Sequence, residues 1–168
     1  MPMADDEGIV SLGERRARRL IEEGLGRFQT GDVEGAAEKF LASIEAHPTA
    51  EGHTFYGWML SYKGNFKQAI AECRKAIAVD PDFGNPYNDI GSYLMHLGRL
   101  DDAIPWLEKA ATASRYEPRH YPHMNLGRIY AAKGQLLGAV AEFRKALEHD
   151  PDNPQLHRML EELRGRLN

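Results

Sequence analysis

One cysteine, Cys73, stands in the 168 residues, so no disulfide can form within the chain. No apolar run approaches the roughly 20 residues that a membrane-spanning helix needs, and the acidic start, MPMADDEG, has no hydrophobic signal core. Charge of one sign is also missing. The net charge is −4 and the pI about 6.0, with lysines and arginines scattered among acids. There is no basic stripe to follow a nucleic-acid backbone, and the short cluster Arg15-Arg16-Ala17-Arg18-Arg19 reads as a solvated helix face. No glycine-rich phosphate loop follows a strand pattern, and no Ser- or Cys-centred nucleophile motif occurs. The paired acids Asp5-Asp6 and Glu161-Glu162 fall in a tail and on a terminal helix. Together these absences lead to the expectation of a soluble cytoplasmic protein without catalysis or cofactor, binding neither nucleic acid nor membrane.

What is present is punctuation at regular intervals. The stretch His53–Pro81 carries two helical patterns around a break at Lys63-Gly64-Asn65. Tyr56, Gly57 and Leu60 share one face of the first; Ala69, Ile70, Cys73, Ala76 and Ile77 share one face of the second. Asp80-Pro81 stops the second helix, because proline lacks the amide hydrogen a helix uses. The break glycines recur as Gly31, Gly64, Gly98 and Gly134, at intervals of 33, 34 and 36 residues. Gly24, Gly57, Gly91 and Gly127 repeat those intervals, as do Ala36, Ala69, Ala103 and Ala139; Pro48, Pro81, Pro118 and Pro151 nearly do. Four columns in one register describe a helical hairpin repeated four times. Small residues let its two helices approach, and stacking covers the apolar face that a single hairpin leaves open.

The pattern resembles the tetratricopeptide repeat (TPR) family. Leu126, Gly127, Tyr130, Ala139, Phe143, Ala146 and Pro151 match its consensus almost completely. Tyr87, Ile90, Gly91, Leu94, Ala103, Leu107 and Ala110 match in the third unit. The first unit departs most, with Glu23 and Arg27 in place of an apolar residue and a tyrosine. The resemblance implies an all-α, right-handed superhelical solenoid with units at 17–49, 50–83, 84–119 and 120–153. A C-terminal capping helix at 154–167 would cover the last unit with Met159, Leu160, Leu163 and Leu167. Ser11 to Glu14 fits a capping box, so helix should begin near Leu12, after a disordered tail at 1–10.

Several residues invite sharper readings. His120 and His123 are three residues apart, but His53, His123 and His157 all fall at the fourth position of their units, which argues for packing; no Cys or carboxylate at regular ligand spacing supports a metal. Cys73 lies in the aromatic column of the repeat and reads as a small core hydrophobe. Pro105 falls in the first two turns of its helix, and Trp106 is expected half-buried on the convex side or, alternatively, as a functional surface residue. The junction TASRYEPRHYP, 112–122, is two residues longer than the family unit. It is either a longer turn or a contact site formed by Tyr116, Arg119 and Tyr121.

In this family the first helix of each unit lines a concave groove. Carried onto this chain, the groove stripe begins with Ile21, Leu25, Phe28, Trp58 and Tyr62, apolar and aromatic. It continues through Asn88, Tyr121, Met124, Asn125, Arg128 and Arg158, richer in amides and arginines. Some relatives use asparagine at the sixth position of each unit to hold a peptide backbone; Asn125 matches, whereas Asp89 and Phe55 break that ladder. The carboxylate clamp of co-chaperones needs Lys and Asn where this chain has Ile21, Leu25, Phe55, Tyr121 and Asn125, so four of its five places lack the group. The implied function is a protein-interaction adaptor that binds a peptide or partner helix in the groove. The aromatics would be anchors of ~2 kcal/mol, or would pack against adjacent hairpins. Alternatives are a chaperone holding a secreted substrate, suggested by Glu117-Pro118-Arg119 and the small size, and an array that self-assembles into a homo-oligomer.

Overall fold

Each break glycine takes the left-handed backbone that a side chain resists: φ is +83° at Gly31, +76° at Gly64 and +74° at both Gly98 and Gly134. The structure, a computed structural model, describes residues 10–167, and its chain turns at these four points. They join α1 (Leu12–Gln29) to α2 (Val33–Ala46), α3 (Ala50–Tyr62) to α4 (Phe66–Val79), α5 (Asn85–His96) to α6 (Leu100–Thr112), and α7 (His120–Ala132) to α8 (Leu136–His149). α9 (Pro154–Leu167) follows. Of the tail expected at 1–10, residues 1–9 lie outside the described residues.

Side chains start several helices. The Ser11 hydroxyl accepts from Glu14 N at 3.1 Å, while the Glu14 carboxylate accepts from Ser11 N at 2.7 Å. Asp32 and Thr49 cap α2 and α3 through Gly35 N and Gly52 N. Pro105 is accommodated within α6, which continues past it to Thr112.

Within a hairpin the helices close on the small residues. A methyl added to Gly127 would stand 2.4 Å from the Phe143 ring, and one added to Gly57 would stand 3.0 Å from the Ala69 carbonyl. Large residues fill the space between hairpins. Phe40 and Met59 centre one cluster, Cys73, Ile90, Leu107 and Ile129 a second, and Phe143, Leu156 and Leu160 a third. The third cluster includes α9, which buries Leu156, Leu160 and Leu163. Two details of the capping helix are corrected: Leu156 joins the buried face, and Leu167 is exposed. Besides its sequence neighbours, α3 contacts α1 and α5, and α5 contacts α7. α1, α3, α5 and α7 therefore form the inner row.

The long junction after α6 laces back onto the preceding inter-repeat turn. Gly84 N donates to Arg115 O at 2.8 Å, and Arg115 N donates to Asp82 O at 3.1 Å. The Arg115 guanidinium pairs with Asp80 and with Glu51, the latter at 3.3 Å. Tyr116 is buried against Gly84, and Arg119 donates to the Ala111 and Ser114 carbonyls at 3.3 and 3.4 Å. Tyr116 and Arg119 thus hold the junction together, while Tyr121 remains exposed.

The fourth position of the unit holds more than packing. His53 Nδ1–H donates to Glu72 Oε2 at 2.7 Å, and His123 Nδ1–H to Glu142 Oε2 at 2.8 Å. Lys75 and Lys145 donate to the second oxygens of the same carboxylates, each at 2.7 Å. Burial pushes Glu72 and Glu142 up, but the hydrogen bonds from His and Lys outweigh it and hold both below the ordinary carboxylate range. In the third unit the same two places carry Tyr87 and Trp106, whose ring centres are 6.1 Å apart. Trp106 is half-buried there, with Arg74 and Lys109 each 5.6 Å from its ring centre.

Candidate partner-binding groove

The inner row divides into bands of different chemistry. At its N-terminal end Ile21, Leu25, Phe28 and Trp58 are half-buried and pack against the Phe40–Met59 cluster. Phe28 and Trp58 have ring centres 4.2 Å apart, and Tyr62 meets both edge-on at 5.3 and 5.8 Å. Tyr62 is 57% exposed, so this aromatic cluster is rooted in the core and ends in solvent. Packing against the adjacent hairpin thus accounts for Phe28 and Trp58, while Tyr62 is left open to solvent.

Next along the row, an open recess of about 380 Å³ lies between α3 and α5. Its walls include Trp58, Tyr62, Phe66, Asp89, Tyr93 and His96. Phe66, from the start of α4, stacks on His96 with centres 5.0 Å apart and planes 8° from parallel. Asp89 is half-buried, and no Lys or Arg nitrogen lies within 4.0 Å of its carboxylate among the described residues. Burial pushes it up to about 7. Tyr93 Oη is buried without a hydrogen-bond partner, and burial, with the charge of Asp89 behind it, drives that phenol well above its ordinary value.

Beyond the recess lies an amide pair. Asn125 Nδ2 donates to Asn88 Oδ1 at 3.1 Å, and Arg128 Nη1 reaches Asn125 Oδ1 at 3.5 Å. Asn125 is only 7% exposed, so its amide bridges α5 and α7 within the fold. Met124 is corrected outright: it is 5% exposed and belongs to the cluster under α9, because its helical phase turns it towards the cap. Tyr121 is exposed and lies against His120, with ring centres 4.2 Å apart. At the C-terminal end, Arg128 shares a small recess with Met159, Glu162 and Arg166; burial lowers the pKa of its guanidinium. Arg158 is exposed on α9 and does not line that recess.

Sequence reasoning passed over Tyr93 and Phe66, and took Asp89 only as a break in the asparagine ladder. A signal for Asp89 was present: the positions three and four away on its helix are Asn85, Pro86, Ser92 and Tyr93, so no local cation can pair with it. Phe66 lies on a second helix, outside the stripe that the repeat register marks, whereas His96 falls at the thirteenth position of its unit, the stripe position that Tyr62 holds in the unit before. No group of three or more His, Cys, Asp or Glu side chains is placed to hold a metal among the described residues, and no described helix is long and apolar enough to cross a membrane.

Comparison with known proteins bears on the whole array. The sequence profile of the tetratricopeptide repeat matches residues 21–82 and 57–118, and a TPR repeat profile matches 127–160. The type IV pilus assembly protein PilF of Pseudomonas aeruginosa is 27% identical over 137 residues, covering 81% of this chain and 54% of that protein. This chain thus spans about half of that relative's length. The solved structure of Pseudomonas aeruginosa PilF superposes with a TM-score of 0.85 at 25% identity, covering 91% of this chain and 69% of that one. MamA superposes at 0.69 with 24% identity over 80% of this chain and 78% of its own. The second TPR of Spaghetti (RPAP3), solved bound to the HSP90 peptide SRMEEVD, superposes at 0.57 with 22% identity over 60% of this chain and 94% of its own. With its glycine turns, its closely packed hairpins and its capping helix, this all-α superhelical solenoid belongs to the tetratricopeptide repeat family.

Proposed function

We propose that the chain is an adaptor that holds a segment of a partner protein along the inner row, anchored at Trp58 and Tyr62. Tetratricopeptide repeat proteins generally mediate protein–protein interaction as non-enzymatic scaffolds, which sets the class. The observation that carries the finer reading is the Phe28–Trp58–Tyr62 cluster, whose outermost ring is 57% exposed beside an open recess. An aromatic fixed from behind by core contacts loses little freedom when a partner covers it, which is the physical profile of a binding anchor. The likeness to a type IV pilus assembly protein favours an assembly role, in which one component of a larger complex is held in place.

The test is capture of partners from native lysate by the wild type, by Tyr62→Ala and by the Trp58→Ala, Tyr62→Ala double variant. Tyr62 is the cleaner single change, because its exposed ring can be removed without opening a cavity. Loss of about 2 kcal/mol, roughly thirtyfold in affinity, is expected for the partner that the wild type retains. Undiminished capture by a folded double variant would end the groove reading.

A further inference from the structure

The recess between α3 and α5 gives the bound segment a chemistry, an inference that rests on the groove reading above. We propose that it receives an arginine side chain of the partner protein, with the guanidinium on the Asp89 carboxylate and the stem along Trp58, Tyr62 and Phe66.

Charge complementarity comes first. Asp89 has no Lys or Arg nitrogen within 4.0 Å among the described residues, and its own helix offers none at Asn85, Pro86, Ser92 or Tyr93. A partly buried carboxylate without a cation is costly to the fold, and an incoming cation would relieve that cost. A second, independent observation points the same way: Tyr93 Oη, buried on the wall of the same recess, has no hydrogen-bond partner. A buried hydroxyl without a partner and a carboxylate without a cation, on the walls of one opening, suit a ligand that brings donors.

Shape selects among cations. The recess of about 380 Å³ accepts a long side chain and is flanked by five rings, Trp58, Tyr62, Phe66, Tyr93 and His96. A guanidinium is planar, weakly hydrated and forked, so it can lie on an aromatic face while donating two hydrogen bonds to one carboxylate. An ammonium is compact and strongly hydrated and uses such walls less well. An acidic side chain would meet Asp89, and an aliphatic one would leave it desolvated and unpaired. The elevated pKa of Asp89 fits this arrangement, since the free recess resists the charge that a guanidinium would stabilise. Arg128, one helix further along the row, makes the neighbouring part of the groove unfavourable to a second basic residue.

The experiment titrates the isotopically labelled full chain with the probe acetyl-Leu-Arg-Leu-amide, and with its citrulline and lysine counterparts, while nuclear magnetic resonance follows the Trp58 indole and the Ser61 and Ser92 amides. Citrulline keeps the shape and removes the charge. Saturable shifts at these positions are expected with arginine, about tenfold weaker binding with citrulline, and intermediate binding with lysine. Asp89→Asn should bring arginine and citrulline to the same affinity, with circular dichroism checking that the variant is folded. Equal binding of the two by the wild type, a preference that survives in Asp89→Asn, tighter binding of lysine, or no shifts at about 10 mM probe would overturn the assignment. Failure here is separable from failure of the groove reading. If Tyr62→Ala loses the native partner while the probes show no arginine preference, the groove stands and the recess falls. If capture is indifferent to Tyr62, the groove reading falls.

Discussion

Replacing Asp89 by asparagine should make the protein more stable, by an amount that depends on pH in a defined direction. The fold raises this carboxyl from its ordinary 3.8 to about 7. An unfolded chain releases the proton near the lower value, whereas the folded chain keeps it to the upper one. Between them the folded state binds more protons, so stability falls as pH rises through this window. The penalty is absent below the unfolded value and complete above the folded one. At roughly 1.4 kcal/mol per unit, its ceiling is about 4 kcal/mol. Because the side chain is half-buried and water reaches part of it, about 1–3 kcal/mol is the expected effect. Asparagine has the same shape, cannot ionise, and is the residue that Asn125 places at the same position of the next unit.

Urea denaturation followed by circular dichroism, run on both proteins from about pH 4 to pH 8, reads the difference directly. The two midpoints should nearly coincide at the acid end and separate by about 1 M at the alkaline end, with Asp89→Asn the higher. Other titrating groups around the site, which are Tyr93 on the same helix, Cys73 of α4, Tyr116 of the junction and His96 at the recess wall, are common to both proteins and cancel in the comparison. A gap that stays flat with pH, or a wild type more stable than the variant at about pH 8, would refute the reasoning, since either result means that the carboxylate is already satisfied.

Two further outcomes follow from the packing and from the buried acids. Gly127→Ala should destabilise by about 1–3 kcal/mol because its methyl would meet the Phe143 ring at 2.4 Å, whereas Gly26→Ala, with open space around it on α1, should stabilise by about 0.5–1 kcal/mol; thermal unfolding midpoints moving in the same direction would contradict this. Glu72→Gln weakens two charge-assisted hydrogen bonds and should cost roughly 1–2 kcal/mol near neutral pH. Its folded pKa is lowered, so that contribution is present above the ordinary carboxylate value and fades as pH falls through the folded one; a gap between variant and wild type that widens on acidification would contradict the assignment.

The architecture was legible because its determinants are local and repeated. A turn that needs positive φ admits little but glycine, and a helix crossing at Gly91 or Gly127 leaves no room for a methyl, so each constraint leaves its mark at one position and recurs with the unit. The groove was less legible, because a position in the repeat gives a direction and not a depth. Met124 and Tyr62 both come from the inner stripe, yet one is 5% exposed and the other 57%. Depth depends on the neighbouring unit: α9 closes over Met124, while Tyr62 stands beside the open recess between α3 and α5. The histidines at the fourth position hid a similar difference. Their recurrence indicated an inward position, which holds for His53 and His123 but not for His157, exposed on α9; the partners Glu72 and Glu142 of the first two are 19 residues away on the second helix, beyond any local pattern.

That comparison separates the two kinds of buried acid in this chain. Glu72 and Glu142 lie between hairpin helices, each satisfied by a histidine and a lysine, and their pKa values fall. Asp89 is also partly shielded from water, but the chain supplies it with no cation, and its pKa rises. If burial alone governed these acids, all three would shift upward; the difference lies in the partners provided. The repeat therefore has the means to neutralise an acid that serves only the fold, and it uses them twice. At Asp89, where it does not, the acid faces an aromatic-walled opening on the inner row beside an unpaired tyrosine hydroxyl. A position that lowers stability and would be relieved by a single amide substitution is where a fold and its ligand make opposing demands. The coincidence of that conflict with the open part of the groove is the physical reason for placing recognition there.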